Sequence, residues 1–80
     1  MMVYTVQAIW DEEARVWVAE SEDVLGLATE AESPEALLNK LRVLVPELLE
    51  LNDCLRSNEK SVDVVIRYQR EERATVPVAA

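Results

Sequence analysis

The sequence predicts an α+β domain of order β-β-β-α-β, a three-strand antiparallel meander followed by a helix that crosses back over the sheet. Two observations carry this. Leu37, Leu41, Leu44, Leu48 and Leu51 recur at alternating four- and three-residue steps, which places them on one face of a helix. Around that stretch lie short runs rich in β-branched and aromatic residues, three before it and one after it. A right-handed crossover then sets the fourth strand beside and parallel to the first, giving the spatial order 3-2-1-4. One sheet covered by one helical layer is a stable two-layer arrangement.

The first strand is predicted over residues 3–10, with Tyr4, Val6, Ala8 and Trp10 on the better core face and Val3, Thr5, Gln7 and Ile9 on the other. Asp11, Glu12, Glu13 and Ala14 make a polar connection of hairpin length. The returning strand, residues 15–20, does not alternate cleanly. Val16 and Val18 face one way, Trp17 and Ala19 the other, and a strand apolar on both faces wants cover on both. A single helix covers one face, so Val16 and Val18 are expected to be buried between subunits of a homo-oligomer. A short third strand is expected over residues 24–29, where Gly26, the sole glycine, marks a bulge or tight bend.

Ser33 is a suitable N-cap, Pro34 gives up no bond at the first helical position, and Glu35 meets the positive end of the helix dipole. Leu38, Val45 and Leu49 widen the leucine stripe into a face broad enough to cover a sheet. Pro46 lies inside the pattern, where a missing N–H and ring crowding cost about 3 kcal/mol, so a kink or two abutting helices are expected. Residues 54–60 read as a loop anchored by Leu55. In the last strand, residues 61–69, Val62, Val64, Ile66 and Tyr68 form the apolar face against Asp63, Arg67 and Gln69 on the other. Residues 1–73 thus form a single domain, and residues 74–80 are expected to be a frayed tail.

The chain has 80 residues and a formal charge of −8, from 16 acidic and 8 basic residues. Such a balance disfavours nucleic-acid phosphates and anionic membranes and favours a basic partner. No apolar run approaches a membrane span, no signal-like N-terminus is present, and Cys54 has no second cysteine to pair with, so a cytoplasmic protein is expected. With no histidine, one cysteine and one glycine, the usual nucleophilic triads, zinc sites and glycine-rich phosphate loops are missing. The carboxylate groups Asp11, Glu12, Glu13 and Glu20, Glu22, Asp23 match no calcium loop and read as solvated surface. Trp10 and Trp17, without a basic patch beside them, read as core or interface. The expectation is a protein that is no enzyme and carries no cofactor and no metal.

Residues 17–26, from Trp17-Val18-Ala19-Glu20 to Gly26, and residues 29–37, Thr29-Glu30-Ala31-Glu32-Ser33-Pro34-Glu35-Ala36-Leu37, resemble the HicB-like antitoxin family. Its members read as an aromatic–Val–Ala strand, an acidic residue before a turn, and a Ser/Thr-capped helix with Glu-Ala. Trp10-Asp11-Glu12-Glu13-Ala14 and Val45-Pro46-Glu47-Leu48-Leu49 are similar to a small uncharacterised HicB-like subgroup. Leu25 and Ala31 stand where many members have proline and glycine. The resemblance, which spans about residues 3–68, implies self-association and a role as the antitoxin of a small basic HicA-type ribonuclease toxin. It points to Glu20, Glu22, Asp23 and Glu30 as the partner-binding carboxylates. The alternative is an orphan HicB-like homo-oligomeric domain that meets another protein or ligand. Twelve residues after Tyr68 are too few for a DNA-binding module, so direct operator binding is not expected.

Overall fold

The computed structural model describes residues 3–55 and 60–79. Its elements follow the predicted order: β1 (Val3–Asp11), β2 (Val16–Glu20), β3 (Ala28–Ala31), α1 (Pro34–Leu51) and β4 (Asp63–Gln69). They form one mixed sheet of order β3-β2-β1-β4, antiparallel between β1 and β2 and between β2 and β3, and parallel between β1 and β4. Class, order and the position of the fourth strand are those expected from the sequence. Of the expected loop over residues 54–60, residues 56–59 lie outside the described residues, and Leu55 packs against the core as its anchor.

The β1–β2 hairpin closes through the Asp11 side chain, which accepts the N–H groups of Glu13 and Ala14 at 3.0 and 3.1 Å. Arg15 takes φ +59 and returns its N–H to the Asp11 carbonyl at 2.8 Å, so Asp11 and Val16 can pair as the first rung of the ladder.

The third strand begins four residues later than the sequence pattern suggests. Gly26 adopts φ +85 and Leu27 N–H bonds the Val24 carbonyl at 3.2 Å, so residues 24–27 turn and do not extend. Val24 and Leu27 still reach the core, each from this turn. A β-carbon on Gly26 would meet Leu48 Cδ2 at an ordinary 3.5 Å. The backbone angle, not lack of room, requires glycine here.

Ser33 caps α1 as expected, its hydroxyl accepting the Ala36 N–H at 3.1 Å. The helix runs through Pro46 as one element, so the pair of abutting helices does not occur. At the other end Asp53, with φ +57, bonds the Glu50 carbonyl, and Cys54 N–H bonds the Leu49 carbonyl at 2.8 Å. That double return is a Schellman cap. The buried line along the helix is Leu37, Leu41, Val45 and Leu49, a strict four-residue step, with Leu44 and Leu48 half-buried beside it. Leu51, assigned to the stripe by its spacing, is 80% exposed. A four-residue step drifts around the helix, and by the last turn the apolar face has rotated away from Leu51.

The core lies between α1 and the even-numbered residues of β1, where Tyr4, Val6 and Ala8 are buried, together with Trp17, Ala19 and Ala31. The helix backbone lies nearest β3 and β2. Ala19 and Ala31 on those strands are small enough to permit that approach. The β4 side of the same face is less covered: Val64 and Ile66 are half-buried and Tyr68 is exposed. Residues 70–79 carry no regular structure and every one is exposed.

Candidate functional site

The sheet face turned away from α1 gathers most of the residues that the sequence marks for binding. Pleating brings Ile9 opposite Val18, and Val18 opposite Glu30; further along the ladder, Gln7 lies opposite Glu20, and Glu20 opposite Ala28. Val16 pairs with Asp11 at the hairpin end. Across the parallel ladder Val65 lies beside Thr5 and Arg67 beside Gln7. Val3, Ile9, Val18 and Val65 are all exposed on this face, and Val16 is half-buried. The result is an apolar centre with Glu20, Glu30 and Arg67 at its margin, the arrangement expected of a protein-binding surface.

The sequence assigns Val16 and Val18 to self-association and Glu20, Glu22, Asp23 and Glu30 to a partner. The structure brings Val16, Val18, Glu20 and Glu30 onto this one sheet face. Glu22 lies off the sheet in the β2–β3 connection, lining a small cleft with Gln7, Glu20 and Ser21. Asp23 has a different task. Its carboxylate accepts the Thr5 N–H at 2.7 Å, while Ser21 Oγ donates to the Thr5 carbonyl at 2.6 Å. The same Ser21 Oγ accepts the N–H groups of Asp23 and Val24 at 3.0 and 3.1 Å. Beyond the end of β2, therefore, these two side chains satisfy the β1 backbone as a neighbouring strand would. Ile9 and Val65 belong to this surface without having been singled out from the sequence. Their signal is the period-2 alternation of β1 and β4, which assigns odd positions to the face away from the helix.

At the hairpin end of the sheet Trp10 organises a second cluster. Its indole N–H donates to Glu12 at 2.6 Å, Arg15 pairs with the other Glu12 oxygen at 2.8 Å, and the Arg70 guanidinium lies 4.6 Å from the ring centre. The indole bond, and then the two guanidinium charges, hold the Glu12 carboxyl below its ordinary pKa. Inward, Trp10 meets Trp17 and Trp17 meets Tyr68, edge to face, at 5.3 and 5.1 Å. Among the described residues no group of three or more histidine, cysteine, aspartate or glutamate side chains is placed to hold a metal ion, and no helix is long and apolar enough to cross a membrane. Cys54 is exposed beside the helix end.

Residues 3–78 match the family model of a domain of unknown function, DUF1902. The chain belongs to the DUF1902 family. It is similar to a solved structure of a hypothetical protein from the extremely thermophilic bacterium Thermus thermophilus, with 48% identity and a TM-score of 0.69. That match covers 94% of this chain and 100% of the other. No curated protein matches this DUF1902 chain. The DUF1902 match includes residues 70–78 of the exposed C-terminal segment as well as the sheet and helix.

Proposed function

We propose that this DUF1902 chain is a non-enzymatic, cytoplasmic protein-binding module of HicB-like type, which neutralises a small basic HicA-type ribonuclease toxin by covering it. The observation that supports this reading best is the solvent-facing side of the sheet, where exposed Ile9 and Val18 lie beside Glu20 and Glu30. Residues 10–35 hold nine acidic residues against Arg15 alone, so the field along this segment is strongly negative, with Arg67 joining the face from β4. A cationic partner is drawn in by the carboxylates and held by the apolar centre. The chain's own homo-oligomer contacts, through Val16 and Val18, belong to the same face.

The test measures association of the purified chain with a HicA-type ribonuclease encoded beside it. Glu20→Lys with Glu30→Lys should slow association, flatten its dependence on salt and abolish rescue of toxin-arrested growth. Glu47→Lys with Glu50→Lys, on the exposed side of α1, should leave all three nearly unchanged. Asp23 is unsuited to this test, because its replacement also removes the bond to Thr5. Equal effects of the two double variants, or no complex with the neighbouring protein, would refute the antitoxin reading. The exposed valines favour one second reading, an orphan HicB-like homo-oligomeric domain that meets another protein or ligand.

A further inference from the structure

The molecule extends 67 Å along its longest axis but only 23 and 19 Å along the others, with a radius of gyration of 16.4 Å. A compact chain of this length has a radius of gyration of roughly 12 Å. The excess points to residues 70–79, which carry no regular structure and are exposed throughout, after Arg70 has stacked on Trp10. This arm exposes two valines, Val76 at 74% and Val78 at 92%. Apolar side chains so fully solvated do nothing for the fold of their own chain.

The same protein has an unfilled place of matching character. Because α1 lies nearest β3 and β2, a groove remains between the helix and β4 on the core side, lined chiefly by Leu38, Leu41, Val45, Pro46, Val62 and Val64. The outer edge of β4 borders it. In the order β3-β2-β1-β4, among the described residues, no strand pairs with that edge, so it is open to an added strand. The groove lies toward the start of β4, whereas the arm departs from its end.

We propose that the arm is exchanged: residues 70–79 of one copy add antiparallel to the β4 edge of a second copy, and Val76 and Val78 reach that copy's α1–β4 groove. The alternation of the sequence supports this pairing. Val62, Val64, Ile66 and Tyr68 occupy even positions on the core side of β4, and Ala74, Val76 and Val78 continue the even series in the arm. A two-fold axis relating the copies sets even positions opposite even positions when it passes through a residue. With the axis at Glu71, Ile66 faces Val76, Val64 faces Val78, and Arg70 faces the Glu72 of the second copy. Pro77 then sits on the outermost strand, where a missing N–H is tolerated. Exchange is reciprocal, so one operation satisfies the β4 edges and the grooves of both copies. This contact is separate from the sheet face that carries Val18 and does not depend on the antitoxin reading.

The test needs no partner: light scattering on the full chain, on Val76→Asp with Val78→Asp, and on Val18→Lys. Loss of two buried valines should weaken the exchanged contact by roughly a hundredfold. The arm variant should therefore drop to a smaller species at micromolar concentration and lose the strand signal of the arm, while its helix signal and cooperative unfolding stay those of the parent. A second measurement locates the arm. In a Cys54→Ser background, chains carrying Val64→Cys and chains carrying Val78→Cys are mixed and oxidised, and a cross-linked heterodimer should form only in the mixture. A parent chain that is monomeric, or an assembly that Val18→Lys dissolves and the arm variant leaves intact, would overturn the proposal. So would an intrachain cross-link in the Val64→Cys, Val78→Cys double variant, since it would show the arm folded onto its own groove.

Discussion

Leu37→Ala is the perturbation that most directly tests the packing of α1. Leu37 is completely buried, one turn inside the Ser33 cap, and belongs to the same core as Ala31, Trp17 and Val6. A leucine enclosed on all sides leaves a cavity its neighbours fill poorly, so truncation should cost about 3–5 kcal/mol. Leu41 is almost as buried but also lines the groove beside β4, where water or shifted side chains can occupy the space. Leu41→Ala should cost less, about 2–3 kcal/mol. Leu51 is solvated, and Leu51→Ala should fall within about 0.5 kcal/mol of the parent. A domain of this size has roughly 4–12 kcal/mol to lose, so Leu37→Ala approaches the limit of foldability. Urea unfolding followed by fluorescence of Trp10 and Trp17 measures all three, at one fixed protein concentration because self-association adds to apparent stability. The reasoning fails if Leu51→Ala costs as much as Leu37→Ala, or if Leu37→Ala costs under about 1 kcal/mol.

Other expectations follow from single sites. Gly26→Ala should destabilise by about 1–2 kcal/mol through its positive φ alone, and an unchanged unfolding midpoint would refute that account. Asp53→Gly, at the left-handed position of the Schellman cap, should raise stability by about 0.5–1 kcal/mol; a loss would mean that the Asp53 side chain has a role of its own. Glu12 titrates below the ordinary glutamate value of 4.5 because Trp10, Arg15 and Arg70 favour its charged form. Its contribution to stability is therefore complete above that value and disappears as pH falls through the lowered folded-state pKa. The difference between the parent and Glu12→Gln should vanish over that acid range, and a carboxyl titration at or above the ordinary value would contradict it.

The topology is legible in the sequence because its determinants are local and repeated. The alternation of Tyr4, Val6 and Ala8, the Ser33-Pro34-Glu35 helix start and the even-numbered apolar set of β4 each fix a face, and a right-handed crossover joins them in one sheet order. The start of the third strand is not legible, because Val24 and Leu27 carry a strand-like composition while serving the core from a turn. Only the left-handed Gly26 distinguishes the two cases, and a glycine symbol does not state its φ. Leu51 misleads for a related reason: a stripe read at mixed three- and four-residue steps does not reveal which way the face rotates by the last turn. At the candidate site, composition supplies the acids and valines but not their union on one sheet face, which depends on the β2–β3 register. Nor does spacing show that Asp23 bonds Thr5, a contact between segments that become neighbours only in the folded sheet.

The parallel pairing of β1 with β4 has a consequence for synthesis. Val3 is matched with Asp63 and Ile9 with Gln69, so the earliest strand of the sheet waits for the latest. Until then the nascent chain can close its hairpin and wind its helix, but one side of β1 keeps unpaired backbone, and Val3, Thr5 and Val6 lack their β4 neighbours. Pairing across that span makes folding slow relative to the local steps. On the ribosome the sheet is completed only after residue 69 has cleared the exit tunnel. The bare side of β1 is where premature association between nascent copies would begin.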